Sequence, residues 1–425
     1  MPETHPTREV ITSQQLAQLS RLLGAILPCN AFYRRKFADC DTTVGKYSDF
    51  CARFPFTTKS ELAEDQRLNP PFGSNLSFPL SHYTRFHQTS GTSSFPMRWV
   101  DTAESWNWMV ENWKEIYRAA GVEGGDRVYF AFSFGPFIGF WLAFDAAQSL
   151  GCLCIPGGGL SSQARLRALL ENRSTVLCCT PSYAARLAEV AVSEKLDRPA
   201  LRAIIVAGEA GGSIPATRAR LEQLWPGARI FDHHGMTETG PVSYECPAKP
   251  GTLHILESAF LPEIIDAKGK AVPTGEPGEL VLTTLGRTGS PVIRYRTGDM
   301  VREAPGPCVC GRHDMALAGG ILGRCDEMVI IRGVNVYPTA VEDVLRKFSE
   351  IAEYQAEVDR RGTLAELRLR IEPAPDCVQP KALAARVEEA IHIALNLRVE
   401  VSLAEPGSLP RFEMKGKRWS QTKGS

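Results

Sequence analysis

Four stretches of the chain carry side chains suited to phosphate chemistry. The run Thr89-Ser90-Gly91-Thr92-Ser93-Ser94 sets six small or hydroxyl residues side by side, just ahead of Phe95-Pro96 and Arg98. Such a run packs poorly but offers hydroxyls and backbone N–H groups that wrap phosphate. Taken alone it reads equally well as a surface loop. It lacks the Gly-x-x-x-x-Gly-Lys-Ser/Thr spacing of a Walker loop. In FDHHGMTETGP (231–241), Glu238 stands between Thr237 and Thr239 after a strand-like run. A carboxylate beside a phosphate loop suits Mg2+, although a lone Glu in a loop more often faces solvent. In YRTGDM (295–300), Asp299 follows a Thr-Gly turn. There it could accept two hydrogen bonds from a ribose diol, or simply close the turn. Near the end, SLPRFEMKGKRW (408–419) supplies Lys415, Lys417 and Arg418, which as a plain basic tail would be solvated.

Two further sets have chemistry of their own. Cys246, His254, Cys308 and Cys310 make three thiols and one imidazole, a legitimate tetrahedral Zn2+ set. Cys308 and Cys310 share the tight turn PGPCVCGR, and prolines separate Cys246 from His254. Cys-x-Cys is a less usual spacing than Cys-x-x-Cys, and reduced thiols in loops are the alternative. Between Phe130 and Trp141 the chain is dense in rings. Phe132, Phe134, Phe137 and Trp141, with Gly135 and Gly139 leaving room, could wall a flat apolar pocket or could be plain core.

The elements that must hold these residues follow from periodicity. Residues 12–27 and 103–119 read as helices, the second with Trp106, Met109, Val110, Trp113 and Ile116 on one face. Thr57 or Thr58 with Glu61 marks a helix start. Apolar runs at 175–179, 203–208 and 229–235 alternate with helical segments, which argues a largely parallel α/β sheet with ligands off the carboxyl ends of its strands. From about 275 the texture turns to β-formers and turn residues, a small antiparallel portion. The pattern resets near 322–326, giving a division into 1–322 and a small α+β domain, 323–425, with helices at about 338–348 and 380–395 and a strand near 365–372. The fold class is α/β: a large N-terminal domain with parallel-type sheets and a small β portion, plus an α+β lid.

Composition narrows the partners. The 425 residues carry 48 basic and 48 acidic side chains, so no charge excess argues for nucleic acid or an acidic membrane. The uncharged stretch Val128 to Phe144 is broken by Gly135-Pro136 and reads as strand, loop and helix rather than a membrane span. The N-terminus MPETHPTREV shows no secretory pattern. With twelve scattered cysteines this points to the reduced cytosol.

Together and in this order, the Ser/Thr loop, HHGMTE, GELVLTTL, RYRTGD, GRCDEMVIIRGVNVYP and LPRFEMKGK resemble the adenylate-forming superfamily. The match is to its compact phenylacetate-CoA ligase-like branch, and it covers most of the chain. The resemblance implies ATP-dependent activation of a small aryl or arylacetic acid to an acyl-adenylate, then transfer to coenzyme A. It implies that Ser90, Gly91, Thr92 and Ser93 embrace the triphosphate, that Thr237 reaches the α-phosphate side and that Glu238 holds Mg2+. It places the turn containing Glu209 against adenine beside His234, and Asp299 on the ribose with Arg324 nearby. Asp326 becomes the hinge and Lys415 the mobile lysine of adenylate formation. RGVNVYP, with Gly333, would present its backbone to the second half-reaction. Similar Cys/His positions in the branch support structural zinc. A homodimer is left open. Two departures stand out: Phe95 replaces the usual loop lysine, with Arg98 three residues on, and His234 replaces a common Tyr. Transfer to an amine or a carrier-protein thiol, and a silent nucleotide-binding module, are the rival readings.

Overall fold

The computed structural model describes residues 5–89, 96–332, 334–360, 365–412 and 416–422. The chain divides into two compact units, Met1–Gly158 with His233–Gly320, and Gly159–Asp232 with Ile321–Ser425.

The first unit opens with the helix Arg8–Ile26, whose Leu19, Leu22, Leu23 and Ile26 enter a core completed by Phe50, Phe54, Val292, Ile293 and Tyr295. Thr58 starts the helix Lys59–Leu68 with a reciprocal box: its side chain accepts the Glu61 N–H while Glu61 accepts the Thr58 N–H. A hairpin pairs Tyr83–Gln88 with Arg98–Thr102, ending at Gln88 opposite Arg98. Thr89 ties its mouth, donating its N–H to the Met97 carbonyl (2.9 Å) and accepting the Met97 N–H on its hydroxyl (3.1 Å). The helix Ala103–Ala119 buries the aromatic stripe read from the sequence. The uncharged stretch resolves into the strand Arg127–Phe130, a loop and the helix Ile138–Ser149. Leu153–Pro156 returns parallel to Arg127–Phe130, so the helix is the crossover of a βαβ turn. Antiparallel strands supply the rest: Phe260–Ile265, Pro277–Thr284 and Tyr295–Arg302 lie in one sheet, and Gly240–Glu245, Thr252–Ile255 and Ala316–Ala318 lie in the sheet that also holds Arg127–Phe130 and Leu153–Pro156.

The second unit contains the parallel strands Val176–Cys179 and Ala203–Val206, with Arg229–Asp232 beside the latter. All four residues of each of the first two strands are buried, as strands covered on both faces require. Residues beyond 321 form a mixed sheet, Glu400–Leu403, Glu366–Pro373, Ile351–Asp359 and Trp419–Thr422 in that order, under the helices Pro338–Leu345 and Pro380–Leu395. Val341, Leu345, Ile351, Ile371, Leu383 and Ile391 form its core. No helix among the described residues is long and apolar enough to cross a membrane. No disulfide joins the cysteines among the described residues.

Candidate active site

In the first unit the sheet returns His234 and Asp299 to one place, 65 residues apart in sequence, with His234 Nε2 and Asp299 Oδ2 at 3.0 Å. Both side chains are nearly buried. Asp299 is further fixed where its N–H donates to the Thr297 hydroxyl (3.0 Å). The other imidazole nitrogen, His234 Nδ1, is buried with no hydrogen-bond partner among the described residues. A buried polar atom of this kind fits a ligand, since leaving it unmet costs free energy.

Glu238 lies in the turn after Met236 and is 5 % exposed. The Tyr295 hydroxyl donates to its Oε1 (3.4 Å), and the Lys59 ammonium stands 3.6 Å from the same oxygen. In the sequence Lys59 is one more charge at a helix start, and nothing in its spacing marks this contact. The turn itself is held from beneath. Buried Arg287 binds Asp101 side-on, through Nε and Nη2 at 2.7 Å each, and gives its remaining Nη1 to the Thr237 carbonyl at 2.8 Å. Thr237 and Glu238 thus sit on a fixed support. One carboxylate in a fixed turn fits Mg2+, which keeps waters and takes further oxygens from phosphate.

Ser90, Gly91, Thr92, Ser93 and Lys415 lie outside the described residues. In the second unit, Arg324 is turned to Asp326, its Nε donating to Oδ1 at 2.9 Å. Asp326 is largely exposed. The Glu209 carboxylate accepts backbone N–H groups from Ser182 and Gly416.

The aromatic set of the first unit packs on itself. Phe132 stacks on Phe140 with centroids 4.0 Å apart, Phe134 meets Trp141 edge-on at 5.0 Å, and Phe137 meets Phe140 at 5.9 Å. Trp141 Nε1 donates to the Gly135 carbonyl (3.0 Å), which pins the ring over the loop.

Cys246, His254, Cys308 and Cys310 converge in the same unit, with all four candidate ligand atoms within 4.8 Å of one another. Cys246 Sγ and Cys308 Sγ are 3.6 Å apart, and Cys310 Sγ lies 3.4 Å from His254 Nε2. His254 Nδ1 faces the Asp314 carbonyl at 3.3 Å, the outer contact that leaves Nε2 for a metal. Three sulfurs and one nitrogen fit zinc.

One unit thus holds the braced Thr237–Glu238 turn and the buried His234–Asp299 pair. Residues 86–286 match the AMP-binding enzyme family, and residues 333–423 match the AMP-binding enzyme C-terminal domain. The phenylacetate-coenzyme A ligase of Pseudomonas putida is 32% identical over 418 residues, covering 96% of this chain and 93% of that one. That of Thermus thermophilus is 34% identical over 439 residues, covering 97% and 96%. Among solved structures, a 2-hydroxyisobutyryl-CoA ligase in the postadenylation state with 2-HIB-AMP superposes with TM-score 0.93 at 28% identity, covering 99% of this chain and 91% of that one. The chain belongs to the AMP-binding enzyme family, in its phenylacetate-CoA ligase-like branch, and is an enzyme of the AMP-forming acid–CoA ligase class.

Proposed function

We propose that the enzyme activates a small aryl or arylacetic acid with ATP and passes the acyl group to coenzyme A. The observation that carries this reading is the supported turn of Thr237 and Glu238 in one unit with the His234–Asp299 pair. In the first step a carboxylate oxygen attacks the α-phosphorus, and the bond to pyrophosphate breaks. In the second the coenzyme A thiolate attacks the acyl carbon, and AMP leaves with the carboxylate's oxygen. Negative charge gathers at the α-phosphate in the first step, so positioned cations and donors carry the catalysis. Lys415, the Ser90–Ser93 hydroxyls and backbone, and Thr237 are the residues for that role. Glu238 would hold Mg2+, which supplies charge neutralisation when bound. Asp299 takes the ribose hydroxyls, while His234 and the turn at Glu209 take the adenine. Arg324 exchanges Asp326 for the nucleotide, with Asp326 as the hinge between 1–322 and the moving part 323–425.

The aryl preference rests on the ring cluster of Phe132, Phe134, Phe137 and Trp141. An exposed face or edge of that cluster would give a flat apolar substrate an aromatic wall to pack against. Zinc on Cys246, His254, Cys308 and Cys310 would be structural, since all four ligands are protein side chains. The enzyme would work in the cytoplasm without nucleic-acid or membrane partners.

Pyrophosphate release with ATP, Mg2+ and a panel of aryl and aliphatic acids, with and without coenzyme A, tests the reading. Turnover with an aryl acid that requires coenzyme A is the expected result. A single burst restored to turnover by an amine or carrier protein would replace the acceptor. ATP binding without release across the panel would leave a binding module.

A further inference from the structure

Within the second unit, the Glu209 carboxylate reaches Gly416, 207 residues further along the chain. Its Oε1 accepts the N–H of Ser182 and its Oε2 the N–H of Gly416, each at 2.7 Å. Ser182 is the second residue of the helix Pro181–Ser193, so the carboxylate meets the positive end of a helix at one of its otherwise unpaired N–H groups. Arg418 closes the ring. Its Nη1 donates to the Ser182 hydroxyl (3.0 Å), while Nε and Nη2 hold both oxygens of Glu353 (2.7 and 3.0 Å). Arg418 and Glu353 are both almost fully buried. A Cβ at Gly416 would run into the Arg418 guanidinium and displace it from this ring, and would stand 3.3 Å from the Ser182 hydroxyl.

We propose that Glu209, with Ser182 and Arg418, is a positioning residue that seats the C-terminal segment beginning at Gly416 for the adenylation half-reaction. Gly416 is the residue after Lys415, so fixing its N–H restricts where the preceding lysine can reach. The inference rests on Lys415 being the adenylation lysine. With both carboxylate oxygens committed to backbone N–H groups, Glu209 offers the nucleotide its own main chain, which agrees with an adenine-side turn at Ala207–Ala210. The same turn thereby links nucleotide and lysine segment. The clasp is also releasable. Both N–H groups and the carboxylate regain water when they part, so the net loss is modest.

The test compares two half-reactions in Glu209→Ala and Gly416→Ala proteins. One is adenylate formation, read by ATP–pyrophosphate exchange. The other is thioester formation from a chemically prepared aryl-adenylate and coenzyme A. The expected result is a loss in adenylation of roughly 100-fold, at least tenfold greater than the loss in thioester formation. Glu209→Gln, which keeps one acceptor oxygen, falls between wild type and Glu209→Ala. Equal losses in the two half-reactions, or none, would overturn the proposal. Hydrogen exchange at the Gly416 amide supplies a readout free of catalysis: it quickens in Glu209→Ala if the clasp holds, and unchanged exchange also overturns it. A wild-type enzyme that makes no adenylate from any acid would defeat the proposed function instead, and the exchange rate at Gly416 would still decide the clasp.

Discussion

Arg287 and Asp101, 186 residues apart, face each other side-on with neither side chain exposed, and both bonds measure 2.7 Å. The third guanidinium nitrogen reaches the Thr237 carbonyl. A buried ion pair is weak evidence of stability in itself, but removing one partner strands the other. Arg287→Met is expected to destabilise the protein by about 3–5 kcal/mol, read by denaturant or thermal unfolding. Arg287→Lys keeps the charge but not the fork, so the turn loses its support while the fold survives. Its adenylation rate should fall at least tenfold, by about the worth of a hydrogen bond to a charged group. A fully active Arg287→Lys enzyme would separate this pair from the site.

Glu238 and Asp299 should fail in different parameters. Glu238→Gln lowers kcat for pyrophosphate release by about 100- to 1000-fold and moves the Mg2+ titration to higher concentration, because the charge it serves develops in the transition state. Asp299→Asn chiefly raises KM for ATP. In wild type 2′-deoxy-ATP is the poorer substrate, and in Asp299→Asn that penalty shrinks. If both variants lost kcat alone, Asp299 would not be the ribose acceptor.

The Cys/His cluster predicts a metal. Purified protein should carry zinc in a one-to-one ratio, and a strong chelator should lower Tm, since binding free energy at a closed site is folding free energy. Cys310→Ser should lose zinc and stability together. Protein free of zinc with an unchanged Tm would reduce the cluster to neighbouring thiols.

Two buried imidazoles set an acid limit. Burial holds His87, stacked on Trp106, down at about 4. Burial, with His234 adding to it, holds His233 at about 3. Both lie below the ordinary value of 6.5, so the unfolded chain takes up protons first as pH falls. Their contribution is complete above about pH 6.5 and is lost progressively down to about pH 4 and 3, roughly 3 kcal/mol for His87 alone. His87→Phe keeps a ring against Trp106 and should flatten the fall of Tm between pH 6.5 and 4.5. An unaltered slope would refute the assignment to His87.

Local patterns were readable without coordinates, and long-range charge pairs were not. The Thr58–Glu61 box and the Trp106–Ile116 stripe obey helical spacing, so they appear where periodicity puts them. The spacing of Cys246, His254, Cys308 and Cys310 was weak evidence by itself, and the resemblance to the branch singled the four out; the fold brings their ligand atoms within 4.8 Å of one another. Arg287 with Asp101, Lys59 with Glu238, and Glu209 with Gly416 leave no trace in spacing, because a charged residue looks the same whether it meets solvent or a partner hundreds of residues away. The strand Ile351–Asp359 escaped notice because Glu353, Glu357 and Asp359 give it the look of a solvated stretch. In the sheet, Glu353 and Asp359 are buried, and Glu353 is met by Arg418. The chain changes unit at Gly158, Asp232 and Gly320, and contacts such as the Arg220 guanidinium on the Ile351 carbonyl (3.0 Å) join 159–232 to the residues beyond 321.

In the proposed first step a carboxylate oxygen attacks the α-phosphorus of ATP, and oxygen tracing follows that atom. With phenylacetate labelled in both carboxylate oxygens by 18O, ATP, Mg2+ and coenzyme A, one 18O is expected in AMP and one in the thioester carbonyl. Label in inorganic phosphate, or AMP without label, would contradict it.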